Sequence, residues 1–182
     1  AAVEMRTALM IESGGAFPEA QIELSLGNAL ASHGAMPQAV HHFRQAVKID
    51  PEFAKAHYAL GLAIHEQGND RAAESHFQRA IELDEGYKAA YAGVCNTLAV
   101  AAFSSGDFKT ALAHIQKALA MNANYAEAHN NAGLIYLQLG ESDKALDHLE
   151  TALRINPQFQ QVRQHLEATR RALQQGSRGT ER

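Results

Sequence analysis

Residues 26–34, LGNALASHG, return as LGLAIHEQG at residues 60–68, so the chain aligns with itself at a period of 34 residues. A related AGLIYLQLG begins at Ala132, and VCNTLAV at Val94 keeps the same register. Further along each unit lie FRQAVKIDP, FQRAIELDE, IQKALAMNA and LETALRINP, beginning at Phe43, Phe77, Ile115 and Leu149. Four units therefore run 20–53, 54–87, 88–125 and 126–159, with lengths of 34, 34, 38 and 34 residues. A repeat of this size is one supersecondary unit, which buries its apolar face only by stacking on its neighbours.

Within each unit the apolar residues are spaced by three and four, which predicts two amphipathic helices joined by a short turn containing Gly. In the second unit Leu60, Gly61 and Ile64 mark the inner face of the first helix, and Ala73, Phe77, Ala80 and Leu83 that of the second. A small residue recurs at Gly27, Gly61, Cys95 and Gly133. Glycine costs about 1 kcal/mol in a helix interior, so its return there implies close helix packing. Asp50-Pro51 and Asn156-Pro157 are expected to end second helices, because a residue before Pro avoids the helical conformation. Abundant Ala and Leu, four Pro and no Trp agree with an all-helical chain.

These residues resemble the tetratricopeptide repeat family. Its pattern appears as Tyr91 at the bulky position, Leu26-Gly27, Leu60-Gly61 and Tyr136, then Ala39, Ala73, Ala111 and Ala145. Phe43 and Phe77 follow, then Ala46, Ala80, Ala118 and Ala152, with Pro51 and Pro157. The match spans residues 20–159. Departures are Cys95 for Gly, Ile115 and Leu149 for Phe, and Glu85 and Ala123 for Pro. The resemblance implies an all-α, right-handed α-solenoid of four tetratricopeptide helix pairs with a C-terminal capping helix.

The third unit is four residues longer, and the extra residues fall within AVAAFSSG. Four residues are close to one 3.6-residue turn and rotate the downstream face by only about 40°. The first helix of that unit is therefore expected to gain a turn, with Phe103 extending its packing face and Ser104-Ser105-Gly106 ending it. It then forms either a harmless protrusion or an added lip on the binding face.

Beyond the four units, residues 1–19 are expected to hold the second helix of a preceding repeat and a joint. RTALMI from Arg6 resembles RQAVKI and TALRI, with Met5, Ala8 and Ile11 on the inner face. On that reading the native protein continues upstream; an unrelated amphipathic leader helix is the alternative. Residues 160–175 place Val162, Leu166, Thr169 and Leu173 at helical spacing among Gln and Arg, as a capping helix requires. Residues 176–182, GSRGTER, are expected to be a flexible polar tail.

The formal net charge of −4 offers no general attraction to nucleic acid, although five arginines against two glutamates make residues 158–182 locally basic. No apolar run approaches the roughly 20 residues of a membrane span. A soluble, cytoplasmic protein is expected, with an exported form left open. The single Cys95 excludes an internal disulfide and sits at a packing position. Ten histidines raise the question of a metal, but His42, His76, His114 and His148 occupy equivalent places in successive units and are separated by whole stacked helix pairs. Zinc ligands must sit about 2 Å from one ion. No HExxH, CxxC, GxSxG or GxGxxG occurs, so neither metal, cofactor nor catalysis is expected. His57 and His129 read as packing residues. A pH-dependent surface is the remaining role for the histidines.

In the resembled family the first helices line a concave groove, at the second, fifth, ninth and twelfth positions of each unit. Here these are Gln21, Leu24, Asn28 and Ala31, then Lys55, Tyr58, Leu62 and His65. The third unit supplies Ala89, Ala92, Asn96 and Ala99, and the fourth Glu127, Asn130, Leu134 and Leu137. The peptide-binding candidates are Leu24, Asn28, Lys55, Tyr58, Leu62, His65, Asn96, Glu127, Asn130 and Leu134. Asn amides both donate and accept, which suits an extended backbone. A chaperone-type carboxylate clamp is not expected, since Lys55 is the single basic residue among these positions. The resemblance implies a non-catalytic module binding a protein or peptide, in a scaffold or assembly role. The alternatives are an accessory region of a larger enzyme, such as a glycosyltransferase or sulfotransferase, and a scaffold that self-associates as a homo-oligomer.

Overall fold

The computed structural model describes residues 19–179, with side chains to 175. The expected partial repeat at the N-terminus and the last three residues of the expected tail lie outside the described residues. Among the described residues there are nine helices and no strand. They are α1 (Glu19–Ser32), α2 (Met36–Ile49), α3 (Ala54–Glu66), α4 (Asp70–Leu83), α5 (Tyr87–Ser104), α6 (Phe108–Met121), α7 (Ala126–Gln138), α8 (Ser142–Ile155) and α9 (Gln160–Gly179). The chain divides between Tyr87 and Lys88 into two compact units.

The turns inside the hairpins repeat one motif. Gly34, Gly68, Gly106 and Gly140 all have φ near +80°, open to Gly without a Cβ penalty. Each glycine amide bonds the carbonyl three residues back, and the next residue's amide reaches five back, as in Gly106 to Phe103 and Asp107 to Ala102. This is the Schellman closure, which satisfies carbonyls left orphaned at a helix end. Gly106→Ala is therefore expected to cost about 1 kcal/mol in a urea titration, although its Cβ would meet nothing within 4 Å.

The loops between repeats share a second motif. Asp50, Asp84, Asn122 and Asn156 each accept, through the side-chain oxygen, the amide two residues on. Such an Asx turn redirects the chain without proline. The loops with Glu85 and Ala123 in place of the family's Pro thus keep the same turn.

In the first unit α1 packs on α2, α2 on α3 and α3 on α4. Gly27 and Gly61 lie under the rings of Phe43 and Phe77, where an added Cβ would stand 2.4 and 2.8 Å from the nearest ring carbon. In the second unit α7 packs on α8, and α8 on α9. Leu149, Ala152, Val162 and Leu166 form a buried cluster there, with Leu146, Leu153 and Phe159 packed around it. Helix α9 packs on α8 through this cluster.

Two boundaries refine the expectations. Helix α5 runs for 18 residues against 13 for α3 and α7, so the insertion is one added helical turn. Phe103 on that turn meets Phe108 of α6 with ring centroids 5.4 Å apart. Helix α9 continues through Gly176 to Gly179, four residues past the expected end at 175.

Candidate functional site

In the second unit the side chains facing outward from α5, α7 and α9 make a polar chain flanked by apolar clefts. Asn131 Nδ2 donates to Asn96 Oδ1 at 2.8 Å, and Asn130 Nδ2 to Asn131 Oδ1 at 3.3 Å. His165 Nδ1 lies 2.9 Å from Asn130 Oδ1. An amide oxygen only accepts, so His165 carries its proton on Nδ1 and the donors all run one way, from α9 toward α5. Two of the expected candidates, Asn96 and Asn130, are thus tied to each other through Asn131.

On one side of this chain lies an apolar cleft of about 220 Å³ between α5 and α7, lined by Ala99, Val100, Phe103, Asn131, Leu134 and Ile135. Phe103 stands on the added turn of α5 and Val100 just before it, so the insertion extends a wall of this cleft. Val100 is 46% exposed. On the other side, Leu134 and Leu137 of α7 face His165, Ala168, Thr169, Ala172 and Leu173 of α9 across a wider cleft of about 450 Å³. Leu134 belongs to both clefts. Glu127, in the first turn of α7, is exposed and lines neither.

In the first unit a smaller hollow of about 140 Å³ brings Asn28 and Leu62 together, with Ala31, Met36, Ala59 and Glu66 among its walls. Asn28 is exposed and Leu62 half-buried. Tyr58 is partly committed to packing, its ring 5.5 Å from that of Phe77 and 5.0 Å from that of Tyr87. Burial raises its phenol pKa, with the Tyr87 phenol a further contribution. His65 bonds Asp70 across the hairpin turn, and Lys55 is exposed at the start of α3.

Two candidates need correction. Leu24 has no exposed surface and belongs to the core, because α1 turns its Glu23–Leu24 edge inward. Asn130 is only 5% exposed and spends its amide on Asn131 and His165, so a bound backbone cannot reach it as supposed.

The histidine contacts within hairpins were not foreseen. His57 Nδ1 and His76 Nδ1 lie 3.2 Å apart, and His129 Nδ1 and His148 Nδ1 2.9 Å apart. In the first hairpin the same register holds Glu23, whose carboxylate stands 2.7 Å from His42 Nδ1. Both pairs share a 19-residue spacing in the sequence, from the first helix of a hairpin to its second. Among the described residues no group of three or more His, Cys, Asp or Glu is placed to hold a metal ion. No described helix is long and apolar enough to cross a membrane.

Paired helices repeated in register, with outward-facing first-helix residues, define an all-α solenoid of helix pairs. The sequence matches family models for the TPR repeat at residues 27–68 and the tetratricopeptide repeat at residues 54–87 and 96–158. The chain belongs to the tetratricopeptide repeat family. Among solved structures it is similar to MamA, at 25% identity over 82% of this chain and 80% of that one, with a TM-score of 0.56. It shares its fold with MamA from Desulfovibrio magneticus RS-1, at 16% identity, 89% of each chain and a TM-score of 0.57. The same holds for PilF of Pseudomonas aeruginosa, at 22% identity, 86% of this chain and 69% of that one, with a TM-score of 0.53. No curated protein matches the chain. A repeat array of this kind is a scaffold for protein interaction, and the fold is typically non-catalytic.

Proposed function

We propose that the chain is a non-catalytic module that holds a peptide segment of a partner protein, and that the outward face of α7 is its principal contact. The observation that carries this reading is Leu134, standing between two apolar clefts whose outer walls present the exposed Val100 and Leu173. Large aliphatic side chains left open around a cleft are characteristic of binding surfaces. The part-buried Asn96–Asn131–Asn130–His165 chain then holds α5, α7 and α9 in place, a supporting role in place of direct recognition. Asn28 and Leu62 offer a second, smaller contact in the first unit. Preorganised walls reduce the ordering cost that a bound segment must overcome.

A display library of unstructured peptides, selected on the native chain, tests this. Selected sequences should carry apolar anchors and lose at least about tenfold in affinity to Leu134→Asp. Leu139→Asp, at an exposed leucine outside both clefts, should bind as the native chain does. Circular dichroism checks that each variant is folded. Equal binding to Leu134→Asp and the native chain would remove α7 from the site.

A further inference from the structure

The two histidine pairs have a geometry that fixes where their protons lie. His57 Nε2 is 3.2 Å from the carbonyl oxygen of Pro51, and His129 Nε2 is 3.1 Å from that of Ala123. A carbonyl only accepts, so in each of these rings Nε2 carries the hydrogen and a neutral ring leaves Nδ1 as a bare acceptor. The facing nitrogen must then donate: His76 Nδ1–H to His57, and His148 Nδ1–H to His129. Ring centroids are 5.4 and 5.1 Å apart, nearly as far as those nitrogen separations permit. Each pair therefore meets along one line, the arrangement of a shared proton, where two donors converging on a metal would meet at an angle.

Each such bond ties the first helix of a hairpin to the second, α3 to α4 and α7 to α8. A proton added at the outer Nε2 of His76 or His148 leaves the bond intact. A second proton, on Nδ1 of His57 or His129, sets N–H against N–H and repels. In hairpin α1–α2 the Glu23 carboxylate holds the corresponding place, and there a protonated His42 makes an ion pair in place of a repulsion. Tyr91 occupies that register in the third unit, so no His pair forms there.

We propose that hairpins α3–α4 and α7–α8 are proton-sensitive clasps, loosened together by acidification, while the carboxylate clasp of α1–α2 resists it. The charged surroundings support this direction. Around the first pair stand Arg79 of α4 and Arg44 of α2, both opposing a positive imidazole, with Asp50 at the end of α2 favouring one. Around the second, Asp147 favours the charge, and the Tyr136 ring stacks on His148 at 5.4 Å with Lys144 over that tyrosine. From α9, His165 is engaged by Asn130 and Arg170 by Glu150; on α6, His114 and Lys117 have interactions of their own.

Burial is the largest influence on His57, His76 and His148 and lowers all three pKa values from 6.5; the partner ring adds to it at His76 and His148. With folded values depressed, their contribution to stability is complete above the unfolded value near 6.5 and is lost as pH falls through the folded values. The inference does not depend on which partner the module binds.

Amide hydrogen exchange on the native chain at pH 7.5 and pH 5.5, expressed as protection factors, reads each hairpin separately. Protection in α3–α4 and α7–α8 is expected to fall about tenfold for each pH unit by which a ring's titration is depressed, while α1–α2 keeps its protection. The double substitution His57→Glu with His129→Glu copies the Glu23–His42 clasp and should abolish the fall. A parallel loss in α1–α2, or a fall that persists in the double variant, would overturn the proposal. Should that variant fail to fold, nitrogen NMR of the native imidazoles at pH 7.5 decides instead. Nε2–H at His57 and His129 with Nδ1–H at His76 and His148 supports the clasp, and any other tautomer pattern refutes it.

Discussion

Gly61→Cys is expected to destabilise the first unit by about 2–3 kcal/mol, and Phe77→Ile in the same chain to return part of that loss. The new Cβ would stand 2.8 Å from a Phe77 ring carbon, in a core where Phe77 is 3% exposed and has little room to yield. The third unit shows the compensated form of the same contact. There Cys95 takes the glycine's register and Ile115 the phenylalanine's, and both are almost fully buried. Gly133 faces Leu149 as an intermediate case, with its would-be Cβ 2.7 Å from Leu149 Cγ. Larger residues on the first helix are thus matched by smaller ones on the second. Urea unfolding of both single variants and the double should give a coupling of about 1–2 kcal/mol in favour of the double. Simple additivity would show that the two helices adjust independently.

Leu149→Ala should cost more, about 3–5 kcal/mol, because it empties the centre of the cluster that holds α9. Leu149 is fully buried against Val162, Leu166 and Ala152, and its removal leaves a cavity that three separate helices would have to close. Leu153, only partly buried at the edge of the same cluster, should lose about 1 kcal/mol on the same truncation. Urea midpoints for the two variants check the ranking, and proteolysis within residues 160–175 should accelerate for Leu149→Ala alone. Equal costs would mean that α9 is held mainly by its polar contacts, His165 to Asn130 and Arg170 to Glu150.

The fold was largely legible because it is periodic. Glycines at fixed offsets, a three-and-four apolar spacing and an insertion of nearly one turn are local properties, and local properties survive in a string of letters. Individual side-chain roles were less so. Leu24 and Asn28 are both assigned to one helix face by counting positions, yet the first is fully buried and the second exposed. Counting along α1 cannot report which of its sides are covered by the rest of the fold. Asn130 failed as a peptide contact for a related reason: its partners, Asn131 and His165, lie on its own helix and on one 35 residues away. The His57–His76 contact depends on how two antiparallel helices slide past each other, which is not written in the sequence of either helix. The continuation of α9 past Gly176 shows that one glycine does not by itself end a helix.

The added turn of α5 makes length a discrete variable in this chain. Both hairpin closures around it, at Gly106 and at Asp107, are the same as in the shorter repeats, so the helix could grow only by a step that returned its inward face to the same side. An insertion of two residues would have turned the part of α5 that follows it by about 200° and aimed Phe103 away from the cleft. Variants of the third repeat with three, four, seven or eight residues added should therefore be recoverable as folded protein, and those between should not. The wall beside Leu134 can in this way be raised in whole storeys, and its height is open to selection independently of the joints that carry it.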